Sequence, residues 1–178
     1  MIRVAHYPKI QKIEKKIVFK FLGGWLNLKF TKKISSQLKF DADNKVVLYD
    51  MTAKQVLLLS ALFAKFLKPA DTLLFFGDIG SGKTFFVRGT IQKMMKSQGI
   101  LVEEVPSPTF TIIQVYDSLS PPVWHLDLYR LSDPDEIIEL SMDDILETGI
   151  CFIEWPEKMG FFLPKRNISI TFDYLAKD

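Results

Sequence analysis

At 178 residues, with 48% hydrophobic and 25% charged, the chain is the size of one domain and has enough apolar mass to bury a core, which excludes a disordered or fibrous protein. Its single cysteine, Cys151, excludes an internal disulfide, no Cys/His cluster suggests zinc, and no run of about 20 apolar residues or signal-like segment is present, so a reducing cytoplasm without stable membrane association is the expected setting. The net charge of +2 conceals a split: residues 1–40 hold ten Lys/Arg against one acid, Glu14, whereas the rest holds 13 against 20.

Residues 1–45 stand apart as a basic extension. Ile17 to Phe30 is apolar but broken by Lys20, Asn27 and Lys29, and Gly23-Gly24 interrupts any helix. Read as structure, this head is a loosely ordered extension or upstream sequence brought in by a wrong start. Read as function, it is a basic arm for RNA or an anionic surface. Met51 is too late for a start, since beginning there removes a strand.

Regular structure is expected over 46–178. Val46–Tyr49 reads as a short strand. Thr52-Ala53-Lys54-Gln55 is a capping box, so a helix begins near Thr52, presents Val56, Leu59, Leu62, Phe63 and Phe66 to a sheet, and stops before Pro69. Thr72–Phe76 has the length and apolar character of a buried parallel strand, and a helix follows from Lys83 to about Ser97, closed at Gln98-Gly99. Strands are expected at Phe110–Tyr116, Val123–Leu128, Ile150–Ile153 and Ile168–Phe172. Asp133-Pro134-Asp135-Glu136 starts another helix, with acids at the positive end of its dipole. The acid-rich stretch Asp133 to Glu147 reads first as a solvated helix face and second as a surface for a basic partner. Strands alternating with helices predict an α/β fold: a mixed, mostly parallel sheet with helices on both faces.

Between the Thr72–Phe76 strand and its helix lies Gly77-Asp78-Ile79-Gly80-Ser81-Gly82-Lys83-Thr84, which fits G-x-x-x-x-G-K-[ST] in full. The fold is therefore expected to be of the P-loop NTPase type. Its glycines let the backbone curl so that amides face phosphate oxygens, and the helix N-terminus adds positive partial charge. Candidate nucleotide-binding residues are Gly80, Ser81, Gly82, Lys83, Thr84 and Phe85. Lys83 is expected on the β- and γ-phosphates and the Thr84 hydroxyl on Mg²⁺. A carboxylate at the end of a buried strand completes such a metal site, and Ile150-Cys151-Phe152-Ile153-Glu154 supplies one. Asp127 ends Val123-Trp124-His125-Leu126 and could orient a water; the alternative is a pair with Arg130 or a turn cap. His125 reads as a packed or surface residue, not a base. Ser107-Pro108-Thr109-Phe110-Thr111 is either an ordinary loop or a switch that senses the γ-phosphate through a hydroxyl.

Taken together, Gly77–Thr84, Ser107–Thr111, His125-Leu126-Asp127-Leu128-Tyr129-Arg130-Leu131 and Ile153-Glu154-Trp155-Pro156-Glu157 resemble the TsaE family over roughly residues 46–174. The resemblance implies an ATPase that binds ATP and Mg²⁺, hydrolyses slowly, and docks on TsaB and TsaD, which place threonylcarbamoyl on adenosine 37 of tRNA. tRNA is then met only through the complex. It also implies Thr84 and Glu154 as metal residues and Asp127, Thr109 and Glu154 as catalytic ones, with Trp155 following the metal acid. The region near Thr52 resembles the part that lies by the adenine, without a residue to name. The basic head departs from the family pattern, as does an end soon after Phe172-Asp173-Tyr174, where relatives continue into a strand and turn. Two other readings are a small P-loop metabolite kinase and a non-hydrolysing ATP-binding module. A kinase calls for an Arg-rich lid, yet no Lys or Arg occurs between Arg130 and Lys158. A GTPase is disfavoured because Asn44-Lys45 continues as Val46-Val47 rather than as a guanine motif.

Overall fold

The computed structural model describes residues 15–22, 38–40, 46–48, 51–140 and 142–174. Its strands are β1 (Lys15–Leu22), β2 (Leu38–Phe40), β3 (Val46–Leu48), β4 (Thr72–Phe76), β5 (Ile113–Tyr116), β6 (Val123–Asp127), β7 (Ile150–Glu154) and β8 (Asn167–Tyr174). The α-helices are α1 (Ala53–Phe66), α2 (Lys83–Ser97) and α3 (Met142–Thr148), with 3-10 segments at Pro134–Leu140 and Pro156–Phe162. The strands form one sheet in the order β2-β3-β1-β8-β4-β7-β6-β5. At its centre β8, β4, β7 and β6 run parallel, and β5 adds an antiparallel edge, which makes the mixed, mostly parallel α/β sheet expected from the sequence. On the far side β1 pairs antiparallel with both β8 and β3. Two tracts of the basic head, Lys15–Leu22 and Leu38–Phe40, are thus strands of this sheet. Gly23-Gly24, Trp25, Leu26, Leu28, Phe30 and Tyr49 lie outside the described residues.

Strand alternation divides the core into two layers. Leu73 and Phe75 of β4, Ile150 and Phe152 of β7, Val123 of β6 and Ile170 and Phe172 of β8 face α1 and α2. Leu74, Cys151, Ile153 and Leu126 face the opposite layer, which is built from α3 and the 3-10 segments through Ile137, Met142, Ile145 and Met159. Phe75 anchors the first layer, its ring centroid 5.7 Å from Phe86, 6.0 Å from Phe152 and 6.4 Å from Phe172. Burying each such ring contributes about 2–3 kcal/mol. Cys151 is fully buried, and burial pushes its thiol pKa up to about 12. It is therefore a packing residue and not a nucleophile.

The capping box of α1 forms as expected: the Gln55 amide donates to Thr52 Oγ1 at 3.3 Å and the Thr52 amide to Gln55 Oε1 at 2.9 Å. Its buried face, Val56, Leu59, Ser60 and Phe63, has the spacing of one helical stripe. That stripe meets α2 closely, because a Cβ on Gly89 would come within 2.5 Å of Ser60 Oγ. One expected element starts later than its sequence suggests. Phe110, Thr111 and Ile112 are not strand but turn, and β5 begins at Ile113. The Ile112 amide turns back to Pro108 O at 2.6 Å, and Ile112 takes φ 66° while its carbonyl accepts from the Asp127 amide at 3.0 Å. Docking of the turn on the end of β6 overrides the strand preference of an Ile-Ile pair.

Candidate functional site

Because β4, β6 and β7 are parallel, their C-terminal ends share one sheet edge, and each delivers a motif there. The loop Gly77–Thr84 leaves β4, Asp127 ends β6 and Glu154 ends β7, with Asp127 and Glu154 directly opposed across the strand pair. Around them is a cleft of about 410 Å³ that includes Gly80, Gly82, Lys83, Thr84, Phe85, Thr109, Asp127 and Glu154 in its lining. Of the candidate nucleotide-binding, metal and catalytic residues only Ser81 is not in the wall; it is buried.

The loop needs its glycines. Gly77 has φ 127°, and a Cβ there would sit 2.4 Å from the backbone carbonyl of Phe172 on β8. Gly82 has φ 108° and caps α2 with no side-chain hydrogen bond, and no acid stands in the first turn. The N-terminus of a 15-residue helix thus opens into the cleft with its amides and positive dipole end available to an anion. Lys83, 4% exposed, donates from Nζ to Gly77 O at 2.6 Å and Asp78 O at 3.0 Å. Its ammonium lies 4.0 Å from the centroid of the Trp155 ring. Burial lowers the Lys83 pKa from its ordinary value, against the pull of Glu154, Asp127, Glu157 and Asp78 in the opposite sense.

Two hydrogen-bonded units complete the site. In the first, Thr84 Oγ1 donates to Glu154 Oε2 at 2.9 Å, and Glu154 Oε1 is 2.9 Å from His125 Nε2. In the second, the Ser107 and Thr109 hydroxyls both donate to Asp127 Oδ2, the latter at 2.7 Å, while the Tyr129 amide donates to Oδ1 at 3.1 Å. Asp127 therefore caps a turn and also latches the Ser107–Thr111 loop; Arg130, its alternative partner, stands 5.2 Å from the Phe110 ring instead.

The donor set fits a hard divalent cation. Thr84 Oγ1 and Glu154 Oε2 are 2.9 Å apart. Adjacent corners of an octahedron with metal–oxygen distances of about 2.1 Å are separated by about that much. Among the described residues no group of three or more His, Cys, Asp or Glu is placed to hold an ion by itself. A cation here needs oxygens from a bound phosphate and water, the usual arrangement for Mg²⁺.

Three participants had no role in the site assigned from sequence. Ser107 was seen only as part of a loop. His125 was read as a packed or surface residue and is fully buried; it lies two residues before Asp127 and therefore on the same strand face. Trp155 adopts φ 58° and ψ 47°, a left-handed conformation that costs a bulky residue on the order of 1–3 kcal/mol and turns its ring over Lys83 and to within 5.0 Å of Tyr129.

Residues 51–178 match the family described as threonylcarbamoyl adenosine biosynthesis protein TsaE. The chain is 37% identical over 120 residues to the tRNA threonylcarbamoyladenosine biosynthesis protein TsaE of Rickettsia felis, which covers 67% of this chain and 68% of that one. It is 36% identical over 121 residues to the protein of the same description from Bacillus subtilis, covering 67% and 72%. Among solved structures it is similar to YdiB of Bacillus subtilis, with a TM-score of 0.54 and 31% identity over 72% of this chain and 75% of that one.

Proposed function

The chain belongs to the TsaE family of threonylcarbamoyl adenosine biosynthesis proteins, and from that membership we propose that it is the ATPase subunit of the assembly that makes N6-threonylcarbamoyladenosine at position 37 of tRNA. It binds ATP with Mg²⁺ in the cleft at the sheet edge and hydrolyses it slowly alone. It works in the cytoplasm docked on TsaB-like and TsaD-like proteins, and meets tRNA only through them. No helix among the described residues is long and apolar enough to cross a membrane.

The observation that carries this reading is the pairing of Thr84 with Glu154 at the mouth of the glycine loop, beside a buried lysine. Gly80, Ser81, Gly82 and Phe85 contribute the backbone of the phosphate cradle, and Lys83 exchanges its bonds to Gly77 O and Asp78 O for phosphate oxygens. Thr84 and Glu154 hold the metal. Bound Mg²⁺ would supply charge neutralisation to the phosphates. Asp127, steered by Thr109 and Ser107, orients the attacking water. Among the described residues only two cations, Lys83 and Arg88, line the cleft, and Arg88 Nε is engaged with Val105 O at 2.8 Å. The site is therefore short of the positive charge that fast phosphoryl transfer needs, which fits slow turnover until a partner docks.

The test is ATP turnover by the purified chain alone and with TsaB-like and TsaD-like proteins. Stimulation by the pair is expected. No stimulation, or transfer of phosphate to a small hydroxyl acceptor, would count against the reading.

A further inference from the structure

His125 is fully buried on β6, and its Nε2 lies 2.9 Å from Glu154 Oε1. An ionised carboxylate only accepts, so Nε2 carries the hydrogen. The strand pairing explains the contact: β6 and β7 are parallel with Asp127 opposite Glu154 and His125 opposite Phe152, so His125 and Glu154 are diagonal neighbours on one face. The other imidazole nitrogen, Nδ1, is buried and has no hydrogen-bond partner among the described residues. The polar ring stands in a layer that also holds Val123 and Phe152.

We propose that His125 is a positioning residue that fixes the Glu154 carboxylate so that Oε2, and not Oε1, is presented with Thr84 Oγ1 to the cation. This rests on Glu154 being the metal acid. A glutamate has three rotatable side-chain bonds, and a bond from Thr84 alone leaves the carboxylate able to turn either oxygen toward the hydroxyl. The histidine removes that freedom by holding Oε1 from behind, in a place where water does not compete: both side chains are 3% exposed or less. The 2.9 Å spacing of the two metal-facing oxygens then exists before the ion arrives. Ordering of a ligand in advance reduces what binding must supply.

The experiment is a calorimetric titration of ADP, in excess Mg²⁺ and again in EDTA, on the full chain and four variants. ADP avoids turnover. The Mg²⁺ effect is the ratio of the two affinities. His125→Leu keeps the volume and loses the donor; it is expected to reduce the Mg²⁺ effect roughly 10-fold or more, the lower range for removing the partner of a metal ligand, while affinity in EDTA stays at the wild-type value. His125→Gln places an amide donor near the position of Nε2 and is expected to recover most of the effect. His125→Asn, polar but one carbon shorter, is expected not to. The Gln and Asn pair decides the matter if the Leu variant does not fold. A folded His125→Leu with the wild-type Mg²⁺ effect overturns the proposal, as does an equal loss in Mg²⁺ and EDTA, which marks a merely structural residue. Glu154→Ala run in parallel separates the two claims: if it too keeps the Mg²⁺ effect, the metal role of Glu154 fails first.

Discussion

Lys83→Ala is expected to weaken ATP and ADP binding by roughly 30-fold to several thousand-fold while leaving the protein folded. The Lys83 ammonium is the buried cation at the loop, and it is poised, not locked: its partners are two backbone carbonyls of the same loop and the face of the Trp155 ring. Those carbonyls and the ring are weaker partners than a phosphate, so the exchange favours the nucleotide. Truncating one member of a buried hydrogen-bonded charge pair costs about 2–5 kcal/mol, and each 1.4 kcal/mol or so is tenfold in affinity. The fold does not depend on these bonds. Helix α2 is held by Phe86, Val87, Ile91, Met94 and Met95 in the main core, so the melting temperature should move by only a few degrees. Calorimetric titration with a melting curve checks both halves. Wild-type affinity in the variant would remove Lys83 from the phosphate site.

Glu154→Ala has the second largest expected effect, and of a different kind. It should abolish the strengthening of nucleotide binding by Mg²⁺ and leave binding in EDTA intact or improved. In EDTA the carboxylate is only a negative charge beside the phosphates, and its removal relieves repulsion. In Mg²⁺ the same carboxylate would offer one of the two protein oxygens, 2.9 Å apart, that are proposed to hold the ion. Turnover should fall by roughly 100- to 1000-fold, the scale for loss of one preorganised electrostatic element. Equal weakening in Mg²⁺ and EDTA would instead mean that the substitution damaged the pocket. Damage is a real alternative to measure, because Glu154 is buried and bonded on both oxygens.

Much of this site is local in sequence and therefore legible there. The loop Gly77–Thr84 announces itself because glycines, lysine and threonine must stand at fixed offsets between a strand and a helix. Glu154 is readable because an acid after Ile150-Cys151-Phe152-Ile153 has no reason to be in the core except at its rim. What escaped depends on pairings between distant segments. His125 and Glu154 are 29 residues apart, and only the parallel register of β6 and β7 makes them neighbours. The start of β5 was misplaced because Phe110–Ile112 has strand-like composition, whereas its conformation is set by hydrogen bonds to Pro108 and to the Asp127 amide. The left-handed turn at Trp155 had no signal at all, since tryptophan disfavours it; the contact with Lys83 and the bond from the Trp155 amide to Phe75 O at 3.3 Å accompany it. Nor does any local pattern announce that Lys15–Leu22 lies beside Asn167–Tyr174.

In its proposed role this cleft times a reaction completed on another subunit. That role is tested most directly by following threonylcarbamoyladenosine formed on tRNA over time, with TsaB-like and TsaD-like proteins, ATP and Mg²⁺, and either the wild-type chain or Lys83→Ala. Product should keep accumulating beyond the first round with the wild-type chain and stall after it with the variant. Equal accumulation with both would contradict that role.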